Sequence, residues 1–164
     1  MTSMQKVFVT KNFRETRRFG RILALEIKKD AIICLSGDLG SGKTTFTQGF
    51  LRGLKVKGPY TSSTFVIMKQ YKPLPIPPLI KGRGPGGWVK TIYHIDAYRV
   101  DAKDILNLGW KEMLAEKNNI IIIEWADRIR KIIPRGALWI KFEWVDENKR
   151  KIRIMSFPPP LSRG

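Results

Sequence analysis

Two rhythms of apolar and polar residues run along the chain, and each switch between them marks an element. Lys6-Val7-Phe8-Val9 reads as a short strand. Thr10 or Asn12 can then cap a helix over about residues 13 to 28, with Phe13, Thr16, Gly20, Leu23 and Ile27 along one side. Ala31-Ile32-Ile33-Cys34-Leu35-Ser36 is a short apolar run of buried-strand type. Helical spacing returns with Phe46, Phe50, Leu51 and Leu54, until Gly53 and Gly58-Pro59 close the segment. Phe65 to Tyr71 and Thr91 to Arg99 read as strands, the second running into a polar end with His94 and Asp96 on one face by strand parity. Asp101 can cap a helix through about Leu108, and Gly109-Trp110 opens another, on which Glu112 and Glu116 read as solvated. Ile120-Ile121-Ile122-Ile123 is a buried parallel strand ending in Glu124-Trp125. Pro134 breaks the next segment. Ala137 to Trp144 and Lys151 to Phe157 form two strands joined by the turn Asp146-Glu147-Asn148-Lys149.

Two segments have no periodicity. Residues 72 to 90 are dominated by Pro and Gly and read as an inserted loop. The last residues, 158 to 164, echo it: Pro77-Pro78-Leu79-Ile80-Lys81-Gly82 and Pro159-Pro160-Leu161-Ser162-Arg163-Gly164 share Pro-Pro-Leu-x-basic-Gly. The expected organisation is one domain over 1–157 followed by a flexible tail.

Composition narrows the class. A length of 164 residues with 43% hydrophobic side chains suits one folded domain with a proper core. No apolar run approaches the roughly 18 residues of a membrane span. The first six residues lack the apolar core of a signal peptide. The lone Cys34 sits inside an apolar strand and reads as core. The expected location is a reducing cytoplasm, with no membrane association. A formal charge of +17 from 31 Lys and Arg against 14 acids suggests an anionic partner. Yet the basic residues are spread out. Their best cluster, Arg14, Arg17, Arg18 and Arg21, is either a nucleic-acid contact or a solvated helix face.

The chemistry concentrates at Gly37-Asp38-Leu39-Gly40-Ser41-Gly42-Lys43-Thr44, which fits G-x-x-x-x-G-K-[ST] between a strand and a helix. Backbone N–H groups of such a loop wrap phosphates, and the helix N-terminus adds its dipole. Lys43 would reach the β- and γ-phosphates, and the Thr44 hydroxyl would sit on Mg²⁺. Thr61-Ser62-Ser63-Thr64 is either turn chemistry or a γ-phosphate sensor. Glu124, directly after four Ile, is either a metal-facing acid or a solvated strand end, and the phosphate loop favours the metal role. Asp96 also lies at a strand's carboxyl end, where ligands of open α/β sheets gather. His94 beside it reads as a structural residue.

These motifs, together with Tyr93-His94-Ile95-Asp96-Ala97-Tyr98-Arg99 and Ile123-Glu124-Trp125, resemble the TsaE (YjeE) family of bacterial tRNA threonylcarbamoyladenosine ATPases. The resemblance runs from about Thr16 to Arg153. It implies an α/β fold, a P-loop NTPase-type sandwich with a central, largely parallel sheet and flanking antiparallel strands. It implies ATP and Mg²⁺ as cofactors. Nucleotide binding would fall to Gly37 through Thr45, with Thr64 and Trp125. Lys43, Asp96 and Glu124 would be catalytic, and Thr44, Glu124 and Asp96 would face the metal. It also implies docking on TsaB and TsaD homologues, with ATP hydrolysis resetting that pair, and tRNA contacted indirectly or through a basic surface. Two departures stand out: Ser63 replaces the Pro usual in the hydroxyl loop, and the 72–90 segment is longer than expected there. A small P-loop kinase of a nucleoside or metabolite is the competing enzyme class; it should carry an Arg-rich lid, which Arg128 and Arg130 could imitate. A basic RNA-binding module is the non-enzymatic one.

Overall fold

The chain lays down β1 (Lys6–Thr10), α1 (Phe13–Glu26), β2 (Ala31–Ser36), α2 (Lys43–Gly53), β3 (Met68–Tyr71), β4 (Thr91–Asp96), α3 (Ala102–Asn107), α4 (Trp110–Ala115), β5 (Asn119–Glu124), a 3-10 segment (Ala126–Ile132), β6 (Leu138–Trp144) and β7 (Arg150–Met155). These elements come from a computed structural model that describes residues 5–27, 30–60, 66–74 and 89–156. The expected hydroxyl loop at 61–64, most of the 72–90 segment and the 158–164 tail lie outside the described residues.

All seven strands join one sheet, ordered β1-β7-β6-β2-β5-β4-β3. The centre is parallel, β2 pairing with β5 and β6, and β4 with β5. Antiparallel pairs flank it on both sides, β1 with β7, β6 with β7, and β3 with β4. The apolar run of β5 now has its reason: every residue from Asn119 to Glu124 is buried, as a central parallel strand covered on both faces requires.

One face packs α1 and α2 over Ile33, Leu35, Ile120, Ile122 and Phe142, through Phe46, Phe50 and Leu54. The other face packs Cys34, Tyr93, Ile121, Ile123 and Trp139 against Ile105, Trp110 and Ile129. Cys34 is fully buried core, and that burial pushes its thiol pKa well up. The helices over the first face touch closely. A Cβ at Gly49 would collide with the Arg17 carbonyl, and one at Gly20 with the Phe46 carbonyl.

Local signals explain most element ends. Asn12 is the cap of α1, its side chain accepting from Glu15 N at 2.9 Å. Thr10 instead shares a 2.7 Å hydroxyl contact with Thr16. Asp101 and Asp104 form a reciprocal capping box on α3. In the β6–β7 turn, Asp146 accepts from Asn148 N and Lys149 N.

Three expectations change. The strand expected to reach Arg99 stops at Asp96, and Ala97 N then donates to Glu124 O. Glu116 is not merely solvated: it accepts from Thr91 Oγ1 at 2.9 Å and from the Tyr93 hydroxyl. Burial and that bond push the Tyr93 pKa up to about 12. The Arg cluster on α1 is divided. Arg14, Arg18 and Arg21 are exposed, whereas Arg17 is half-buried and donates to Gln48 Oε1 at 3.2 Å.

Candidate nucleotide site

The loop between β2 and α2 is held open by backbone that other residues resist. Gly37 has φ 137°, and a Cβ there would collide with the Phe142 carbonyl. Gly42, with φ 105°, is the N-cap of α2 and offers no side-chain cap. The first N–H groups of α2 therefore lack a side-chain acceptor, which is the arrangement an anion completes.

Lys43, only 4% exposed, turns back into its own loop. Its Nζ donates to Gly37 O at 2.6 Å, Asp38 O at 2.8 Å and Ser41 Oγ at 3.3 Å. The same Nζ lies 3.9 Å from the centroid of the Trp125 ring, a cation–π contact. Burial lowers the Lys43 pKa, against the opposing pull of Glu124, Asp127, Asp38 and Asp96. Trp125 follows β5 in a left-handed conformation, φ 59°, and its ring lies 4.8 Å from that of Tyr98.

The acids come from the ends of adjacent strands. Asp96 and Glu124 are register partners across β4 and β5. Glu124 Oε2 accepts from Thr44 Oγ1 at 2.9 Å, and Oε1 lies 2.9 Å from His94 Nε2. Burial alone would raise the Glu124 pKa, but the His94 and Thr44 bonds outweigh it and hold the carboxyl below its usual range. Asp96 goes the other way. Burial and the neighbouring Glu124 raise its pKa despite the bond that Oδ1 accepts from Tyr98 N at 3.0 Å.

A cleft of about 770 Å³ opens over these groups. Leu39, Gly40, Ser41, Gly42, Lys43, Thr44 and Thr45 line it, with Asp96, Glu124 and Trp125 opposite. Gly37 and Asp38 serve from behind, through the carbonyls that hold Lys43. Thr64 lies outside the described residues. Thr44 and Glu124 are hard oxygen donors that suit Mg²⁺. Among the described residues no group of three or more His, Cys, Asp or Glu could hold a metal by itself.

Two contacts had no clear sequence signal. His94 reaches Glu124 only because β4 and β5 are neighbours. Arg150, 110 residues from the loop, donates from Nε to Gly40 O at 3.2 Å and from Nη1 to Asp146 O at 2.7 Å. Among the described residues, the arginines lining the cleft are Arg99 and Arg150. Arg128 and Arg130, the lid expected of a kinase, are not there.

A parallel-centred sheet with this loop at the carboxyl end of β2 defines an α/β protein of the P-loop NTPase type. The sequence profile of a family described as threonylcarbamoyl adenosine biosynthesis protein TsaE matches residues 10–152. The tRNA threonylcarbamoyladenosine biosynthesis protein TsaE of Bacillus subtilis is 32% identical over 143 residues, 87% of this chain and 80% of that protein. The TsaE of Aquifex aeolicus is 32% identical over 151 residues, 91% of this chain and 95% of its own. The crystal structure of Bacillus subtilis YdiB superposes with a TM-score of 0.71 at 30% identity, covering 94% of this chain and 87% of that one. The chain belongs to the TsaE family.

Proposed function

We propose that this protein is the ATP-hydrolysing subunit of the tRNA threonylcarbamoyladenosine modification machinery, working in the cytoplasm. In this reading it docks on TsaB and TsaD homologues and resets that pair by ATP hydrolysis. Family membership supports the pathway. The observation that carries the chemistry is the meeting of Lys43, Thr44 and Glu124 in one cleft beneath the uncapped start of α2. No helix among the described residues is long and apolar enough to cross a membrane.

Each residue then has a task. Backbone N–H groups of the loop and the α2 dipole receive the phosphates. Lys43 exchanges the Gly37 and Asp38 carbonyls for the β- and γ-phosphates, a trade of neutral acceptors for charged ones. Thr44 and Glu124 would hold Mg²⁺, with Asp96 beside them, and the metal would supply neutralisation of the charge that develops during phosphoryl transfer. Trp125 covers the Lys43 side of the cleft.

The test is an ATPase assay on the purified protein, alone and with TsaB and TsaD homologues. We expect slow intrinsic turnover and stimulation of at least about tenfold by the pair, because partner-supplied groups are worth roughly 10³-fold or more in related hydrolases. Fast turnover unaffected by the pair would overturn the docking role. Phosphate transfer to a small acceptor would favour a kinase instead.

A further inference from the structure

His94 occupies a place where an aliphatic side chain would be ordinary. Its β4 neighbours Ile92 and Ile95 are fully buried, and His94 itself is 3% exposed. An imidazole there leaves Nδ1 buried with no hydrogen-bond partner in the described structure. Orphaned buried polar atoms are uncommon and unfavourable, so a position serving only the core gains nothing from one.

What the imidazole does provide is one fixed donor. His94 pairs across the sheet with Ile122, and Asp96 with Glu124, so His94 and Glu124 sit two rungs apart on the same face. An ionised Glu124 can only accept, so Nε2 must donate to Oε1 across their 2.9 Å separation. Thr44 donates to the other oxygen at 2.9 Å. The two side chains are each 4% exposed, so water does not compete for that bond. A carboxylate held at both oxygens cannot rotate about its last torsion. Removing the imidazole takes away the 2.9 Å donor to Oε1 and leaves the carboxylate to the Thr44 and Thr47 hydroxyls, which loosens the aim of Oε2.

We propose that His94 is a positioning residue for the nucleotide site, holding the Glu124 carboxylate in the orientation that receives Mg²⁺ beside Thr44. This rests on the reading of the cleft as a Mg–ATP site. His94 touches neither substrate nor metal in this account and acts through Glu124 alone. Partners one shell out from a metal ligand are typically worth 10–100-fold in metal affinity.

The experiment is equilibrium binding of ADP by titration calorimetry, first in EDTA and then in excess Mg²⁺. It compares the natural protein with His94→Leu, which fills the space without a donor, and His94→Gln, whose amide can donate to Oε1. Thermal midpoints of all three are recorded. We expect ADP affinity in EDTA to be preserved in both variants, because the loop backbone and Lys43 hold the phosphates. The gain on adding Mg²⁺ should fall at least about tenfold in His94→Leu and return to within about threefold in His94→Gln. An unchanged Mg²⁺ gain in His94→Leu would overturn the proposal. So would equal losses in the two variants, or a loss in EDTA as large as that in Mg²⁺, since each describes a merely structural residue. If the natural protein itself shows no ADP binding, the nucleotide reading fails first and this one falls with it. The two failures are therefore distinguishable.

Discussion

Glu124 and Asp96 occupy matched rungs of neighbouring strands, yet their surroundings move their acidities in opposite directions. Glu124 is lowered on folding, so its contribution is present above the unfolded pKa and is lost as pH falls through the folded one. Asp96 is raised, so the native state holds its proton more tightly than the unfolded chain. Stability then declines as pH rises from the unfolded value through the folded one. Thermal midpoints of the nucleotide-free protein between about pH 3 and 8 should separate the two, starting from reference values near 4. Glu124→Gln should flatten the acid-side loss. Asp96→Asn keeps an oxygen for Tyr98 N and should raise the midpoint at pH 7. A lowered midpoint in Asp96→Asn would contradict this account. Lys43 gives the second residue-scale prediction. Lys43→Ala removes the charge aimed at the phosphates along with three internal hydrogen bonds. It should leave a folded protein whose ATP affinity has fallen at least about a hundredfold, read by nucleotide titration. Normal ATP hydrolysis by that variant in the presence of partners would refute the loop assignment.

At the scale of elements, the α1–α2 contact governs how the loop is carried. Both helices bring glycine to the crossing, so backbone meets backbone, and Gly53 lies against Ala24 in the same seam. Gly49→Ala would raise intrinsic helix propensity by about 1 kcal/mol. Overpacking against the Arg17 carbonyl works the other way and typically costs about 1–3 kcal/mol, so the net effect should be destabilising. Gly40→Ala is the useful comparison. Nothing lies within 4 Å of its Cβ position, and only the positive φ of 75° is disfavoured. Urea unfolding should show a loss in Gly49→Ala together with weakened nucleotide binding because α2 begins at Lys43, whereas the strain of Gly40→Ala, about 1–2 kcal/mol from φ alone, leaves the helix seam untouched. An unchanged midpoint in Gly49→Ala would mean that the helices separate at little cost.

At the scale of the molecule, the Pro/Gly-rich segment lies between β3 and β4 in the chain. Its flanks are well anchored. Tyr71 pairs with Ile92, Leu74 N donates to Lys55 O at 3.0 Å, and Lys90 N donates to Asn118 O at 2.7 Å. Leu74 thus belongs to the scaffold, although composition alone puts the start of the loop at residue 72. Replacing residues 76–87 with a Gly-Asn linker and ending the chain after Ser156 should leave ADP affinity within about twofold. Loop closure changes by only about 0.6 kcal/mol per doubling of length. Much of the +17 charge stays in place. Intact nucleotide binding with lost binding to TsaB and TsaD homologues would instead make the segment a docking element.

What the sequence determined by itself was local in origin. Glycine spacing and the adjoining Lys43-Thr44 located the loop, because a turn of that shape needs those residues whatever surrounds it. Four consecutive Ile located β5 and put Glu124 at its end, because only a strand covered on both faces tolerates such a run. Asp101 announced one helix start through its own side chain, and the α1 start was narrowed to Thr10 or Asn12, between which the structure chose Asn12. Strand parity put His94 and Asp96 on one face but could not say what they faced. Tertiary structure decided that β5 lies between β2 and β4, and so brought His94 to Glu124 and Glu124 to Thr44, 80 residues away. It also turned Arg150 onto Gly40, Glu116 onto Tyr93, and the Trp125 ring onto Lys43. Each of these depends on sheet order and register, which are fixed by the burial of both sheet faces together and leave no mark at any single position of the chain.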